Sequence, residues 1–130
     1  MHLEHINLTV ADIERSVDFY RRLLGFRVRW EGETIDGKPA AHIGDDRHYL
    51  ALFEGGNGEP ATLDYDRTGV NHFGFVVEDL AAAKRKLATL GVEPRMEADY
   101  EPGKRLYFLD PDGVEVELID YPAPVAEEAS

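Results

Sequence analysis

The chain has 130 residues, 43% of them hydrophobic and 31% charged, which suits one folded domain with a real core and argues against wholesale disorder. It has no cysteine, so disulfides, thiolate metal sites and cysteine nucleophiles are excluded together, and any metal must be held by His, Asp, Glu or other oxygen donors. The net charge of −12, from 14 basic and 26 acidic residues, is the wrong sign for a nucleic-acid partner, and no apolar run approaches the roughly 20 residues that span a bilayer.

Residues 3–13 read as a strand that runs into a helix start. Asp12 is placed to cap the free amides of the first turn, and Ile13, Val17, Tyr20, Leu23 and Leu24 follow at helical spacing. Gly25 supplies a left-handed stop. Three strand-like segments follow at about 26–33, 38–44 and 48–54, separated by turn residues such as Gly44-Asp45-Asp46. Residues 55–69 are rich in glycine and read as a linker. They lack the Gly-Lys-Ser/Thr ending of a phosphate loop.

The pattern then repeats. Residues 70–80 match 3–13 at an offset of 67, which pairs His72 with His5 and Asp79 with Asp12. A second apolar stripe, Leu80, Ala83, Leu87 and Leu90, ends at Gly91. Strand-like segments follow at about 92–99, 104–109 and 114–120, with Asp110-Pro111-Asp112-Gly113 as a turn.

The expected fold class is α+β: two βαβββ modules forming a cupped, open mixed sheet. The expected organisation is a single domain over 1–122, with module one at 1–54, the linker at 55–69, module two at 70–122 and a frayed tail at 123–130. The N-terminus has neither the basic nor the apolar segment of a signal peptide, so a cytoplasmic location is expected.

The repeat carries the candidate chemistry. Alternate residues of a strand share a face, so His5 should lie with Leu3, Asn7 and Thr9, and His72 with Val70, Gly74 and Val76. Glu117 interrupts the apolar strand Val114–Ile119, and its counterpart one module earlier is Ala51. Four equivalent positions therefore hold His, His, Glu and Ala. Two imidazoles and a carboxylate make a three-ligand site with open coordination positions. A lone strand histidine is more often structural; two at equivalent positions shift that balance. Glu115 shares the parity of Glu117 and is its competitor, able instead to line the rim or pair with a base. His2, His42 and His48 have no repeat partner and read as ordinary structural histidines.

The double βαβββ pattern and the segment from Leu106 to Glu117, with its Asp110-Pro111-Asp112-Gly113, resemble the vicinal oxygen chelate superfamily, which includes glyoxalase I, extradiol dioxygenases, fosfomycin-resistance enzymes and bleomycin-resistance proteins. The resemblance spans about residues 3–120. It implies that His5, His72 and Glu117 are metal ligands, that Tyr107 lies near the active site and donates to a substrate oxygen, and that Glu117 can double as a catalytic base. It implies one divalent metal per site, with Fe, Mn, Co, Ni and Zn all compatible, a small-molecule substrate, no nucleic-acid or membrane partner, and a homodimer that in some members exchanges halves. Glyoxalase I uses a fourth protein ligand at the position of Ala51, which alanine cannot supply; the fosfomycin-resistance enzymes use three.

By strand parity, Asn7, Tyr49 and Phe53 form a pocket wall. The expected function is a metal-dependent glyoxalase-like enzyme chelating adjacent oxygens of a small metabolite, through an isomerase, lyase or dioxygenase-type step. The alternative is a non-catalytic small-molecule or drug-binding protein, stacking its ligand on Tyr49, Phe53, Tyr100 and Tyr107.

Overall fold

A computed structural model describes residues 1–100 and 103–122, Tyr100 by its backbone alone. The tail expected to fray at 123–130 lies outside the described residues. The chain divides into two compact units, one over Met1–Pro60 and one from Ala61 onward.

Unit one runs β1 (His5–Val10), α1 (Ile13–Leu24), β2 (Arg27–Glu33), β3 (Pro39–Gly44), β4 (Tyr49–Glu54). Unit two runs β5 (His72–Val76), α2 (Leu80–Thr89), β6 (Met96–Tyr100), β7 (Gly103–Leu109), β8 (Glu115–Asp120). The sheet orders are β1-β4-β3-β2 and β5-β8-β7-β6, each with one parallel pair at the strand that precedes the helix and antiparallel pairs elsewhere. Two four-stranded mixed sheets with one helix each give the α+β class that the sequence repeat predicts.

The helix boundaries follow from the repeat. Asp12 accepts from the Arg15 amide at 3.1 Å and Asp79 from the Ala82 amide at 3.0 Å. A second carboxylate reaches each helix from the end of its module's last strand: Glu54 accepts from Ile13 N and Asp120 from Leu80 N, both at 3.0 Å. Each helix N-terminus thus satisfies two otherwise orphaned amides with negative charge, where the helix dipole favours it. Gly25 and Gly91 end the helices at φ of 72° and 76°, a region in which a Cβ would be strained.

α1 packs on β3 and β4, and α2 on β8. Tyr20, Leu23, Ile43, Leu50 and Leu52 form the core of unit one; Leu87, Leu106, Phe108, Val116 and Leu118 form that of unit two. Each such side chain contributes about 1.5–3 kcal/mol by leaving water. The last segment of the helix–sheet link differs from expectation. β6 begins at Met96 rather than near residue 92, because the Val92 amide is taken by Leu87 O in the helix-end turn and Pro94 offers no donor.

Among the described residues, no helix is long and apolar enough to cross a membrane.

Candidate metal centre

In unit two, β5 and β8 pair in parallel, with His72 beside Glu115 and Gly74 beside Glu117. β7 closes the other flank of β8, with Tyr107 beside Glu117. The turn that launches β8 is held by Asp110, whose buried carboxylate accepts from the amides of Asp112 and Val114 at 2.9 and 3.0 Å. Strand alternation then turns Glu115 and Glu117 onto the face of His72, opposite the helix-facing Val116 and Leu118.

The side chains converge. His72 Nε2 lies 3.0 Å from Glu117 Oε1, and Arg105 donates to Glu117 Oε2 at 3.0 Å. Glu115, which the sequence left as a competitor, takes a base instead: Arg95 donates to its Oε2 at 3.0 Å, and the Tyr65 hydroxyl donates to its Oε1. The same Tyr65 oxygen lies 3.0 Å from His72 Nδ1. The pKa of the Tyr65 hydroxyl is pushed up to about 12, first by this bond to Glu115 and then by burial. Tyr107 packs edge-on against His72 with ring centroids 5.3 Å apart. Both carboxylates are buried, so these contacts are what makes their burial tolerable.

Gly74 contributes by what it lacks. A Cβ there would stand 3.5 Å from Glu117 Cβ, so the glycine leaves room over the carboxylate where a larger side chain would cover it.

Unit one repeats the geometry with different chemistry. His5 pairs with Tyr49 and Asn7 with Ala51, the places that His72–Glu115 and Gly74–Glu117 fill in unit two. His5 Nδ1 is taken by Glu4 Oε1 at 2.9 Å, and Tyr49 donates to the same oxygen at 3.2 Å. These bonds, His5 first, hold the Glu4 carboxyl below its ordinary range. Rings line up in a row across the sheet: His5 stacks on Tyr49 at 4.9 Å, Tyr49 stacks on His42 at 4.5 Å and His42 meets Trp30 at 4.8 Å with the planes tilted by 45°, while the Arg29 guanidinium lies 4.5 Å from the Tyr49 centroid.

His42 therefore lies on the same face as His5 and Tyr49, where its ring packs between Tyr49 and Trp30. It pairs with Ala51 as Tyr107 pairs with Glu117. Burial, and then the neighbouring His5 and Arg29, push its pKa down, which favours the neutral ring.

A cavity of about 620 Å³ opens farther along this face, between Thr9, Trp30, Lys38, His42 and Phe53. Of the pocket wall expected from parity, Phe53 lines this cavity and Tyr49 joins the ring stack. Asn7 donates its side-chain amide to Ala51 O at 2.8 Å and so is tied to the strand.

The predicted ligand set is thus distributed. His72 and Glu117 come together in unit two, and His5 occupies the equivalent place in unit one. Among the described residues, no three or more His, Asp or Glu side chains are gathered to hold a metal ion. The His72–Glu117 pair nonetheless fits one. An imidazole nitrogen and a carboxylate oxygen are both common donors to divalent ions, and here they face each other at 3.0 Å, which is also hydrogen-bond distance. At Nδ1, His5 faces the Glu4 carboxylate and His72 faces the Tyr65 hydroxyl.

Tyr65, Arg95 and Arg105 were not expected from the sequence. Arg105 shares the parity of Tyr107, a signal available in the strand pattern. Tyr65 lies in the stretch read as a linker and carries no periodicity to reveal it.

Comparison with known proteins agrees with this architecture. The family profile described as the Glyoxalase/Bleomycin resistance protein/Dioxygenase superfamily matches residues 2–118. The glutathione transferase FosA of Serratia marcescens is 31% identical over 124 residues, covering 89% of this chain and 78% of that protein. The catechol-2,3-dioxygenase of Bacillus subtilis is 27% identical over 120 residues; the match covers 90% of this chain but only 40% of that longer relative. Among solved structures, a glutamate-to-glutamine mutant of the fosfomycin-resistance protein FosX of Listeria monocytogenes, complexed with Mn(II) and 1S,2S-dihydroxypropylphosphonic acid, superposes with a TM-score of 0.74. It shares 19% identity and covers 99% of this chain and 98% of its own, and so shows the fold.

Proposed function

Because the chain belongs to the Glyoxalase/Bleomycin resistance protein/Dioxygenase superfamily, we propose that it is a metal-dependent enzyme acting on a small metabolite with two adjacent oxygens, with His5, His72 and Glu117 as the ligands of one divalent ion. The observation that carries this reading is the 3.0 Å approach of His72 Nε2 to Glu117 Oε1 on a face left open by Gly74. The Mn(II) in the FosX neighbour is consistent with it. His5 comes from the same chain or, if the units exchange in a homodimer, from a second copy.

When bound, the ion supplies Lewis-acid stabilisation of negative charge developing on a substrate oxygen. The chain's own residues do the rest. Arg105 anchors Glu117 through Oε2, leaving Oε1 as the oxygen available to a ligand or a proton. Tyr107, beside Glu117 and against His72, donates to a substrate oxygen. Should Glu117 leave the ion, its Oε1 is the oxygen that can accept the proton removed next to that substrate oxygen.

The test is turnover with and without metal. Protein loaded with Fe(II), Mn(II), Co(II), Ni(II) or Zn(II) is assayed on a catechol for ring opening and on a glutathione adduct for isomerisation or transfer, then stripped with a chelator. Activity with one metal, lost on chelation and in Glu117→Gln, is expected. A second reading rests on the cavity, whose aromatic wall suits sequestration of a small aromatic molecule without turnover. Tight ligand binding by the stripped protein, with no turnover under any metal, would replace the first reading with the second.

A further inference from the structure

We propose that Tyr65 and Glu115 are positioning residues that lock the His72 ring through Nδ1, so that Nε2 is the nitrogen presented toward Glu117. The inference rests on reading His72 as a ligand, and it deepens that reading.

The argument is proton accounting. The Tyr65 hydroxyl has one proton and two neighbours, Glu115 Oε1 and His72 Nδ1. A carboxylate oxygen can only accept, so the hydroxyl proton goes to Glu115. The hydroxyl oxygen then faces Nδ1 at 3.0 Å, with Glu115 Oε1 itself 3.5 Å from the same nitrogen. Two oxygens converge there, a geometry that favours hydrogen on Nδ1. Nε2 is left to face Glu117 Oε1, where either a second proton or a metal ion completes the contact. Arg95 holds the other oxygen of Glu115, so the carboxylate cannot swing away without breaking an ion pair at a buried site.

His5 gives an internal comparison. Its Nδ1 meets a carboxylate directly, Glu4 Oε1 at 2.9 Å, whereas His72 meets one through the Tyr65 hydroxyl. Both halves thus place an oxygen partner at Nδ1 by different means.

The test uses the full chain. Long-range nitrogen–proton spectra report which His72 nitrogen is protonated, and Co(II) titration reports affinity. Wild type should show a protonated Nδ1. Tyr65→Phe, at a half-exposed position, and Tyr65→Phe combined with Glu115→Leu should lose or mix that signal and weaken Co(II) binding by about 10- to 100-fold in the double variant. Tyr65→Phe keeps the test valid should the double variant misfold. An unchanged Nδ1 signal and unchanged affinity in Tyr65→Phe, and in the double variant where it folds, would overturn the relay while leaving the metal reading standing. A Tyr65-dependent Nδ1 signal in a protein that binds no Co(II) would support the relay and overturn the metal reading.

Discussion

Arg105→Met should destabilise the protein by about 2–4 kcal/mol. Arg105 Nη1 and Glu117 Oε2 are 3.0 Å apart, with side chains 14% and 8% exposed. At an effective dielectric of about 20, two unit charges at that distance attract by about 5 kcal/mol. His72 still meets the other carboxylate oxygen and solvent screens part of the remainder, so the net loss falls below the gross value and near that of breaking a buried pair from one side. Methionine keeps much of the arginine stem, which separates lost charge from lost packing. The assay is urea unfolding in a chelator, so that no metal replaces the arginine. Because the damage is an unpaired buried carboxylate, Arg105→Met with Glu117→Gln should be more stable than Arg105→Met alone. A single variant within about 0.5 kcal/mol of wild type, or a double variant no more stable than the single, would refute the reasoning.

Two further predictions concern the scaffold. Leu87→Ala empties a fully buried position of α2 and should cost about 2–5 kcal/mol by urea unfolding; a cost below about 1 kcal/mol would mean that α2 is not seated on its sheet. Asp45 accepts from the amides of His48 and Arg47 at 2.7 and 2.8 Å, in that order of effect, and its folded pKa is lowered. Its contribution is therefore complete above the ordinary aspartate value of roughly 3.9 and is lost as pH falls through the lower folded value. The stability gap between wild type and Asp45→Ala should be present at neutral pH and narrow on acidification through that window. A gap that widens toward low pH would reverse the sign of the linkage.

Much of the fold was legible because the repeat states it twice. The caps Asp12 and Asp79, the stops Gly25 and Gly91, and the strand positions of His5, His72 and Glu117 all follow from offsets of 66 or 67 residues. The approach of His72 to Glu117 was not legible, because parity relates residues within one strand and only the β5–β8 register brings the two side chains together. The equivalence of His42 and Tyr107 was not legible because β3 and β7 correspond by sheet register rather than by the offset that relates the other strands, which points to Phe108. Arg95 and Tyr65 come from loops, where no periodicity predicts direction, and only the tertiary fold shows that they converge on Glu115. The late start of β6 was misjudged because backbone hydrogen bonding at Val92, not hydropathy, sets it.

The central claim is that this chain holds a divalent ion at His72 and Glu117 with help from His5. The most direct measurement is metal content by mass spectrometry after loading with each candidate ion and desalting, on wild type, His72→Ala and His5→Ala. About one ion per chain in wild type, lost in His72→Ala and weakened or lost in His5→Ala, is the predicted result. Wild type that retains no ion from any loading, or His72→Ala that retains the full complement, would contradict it.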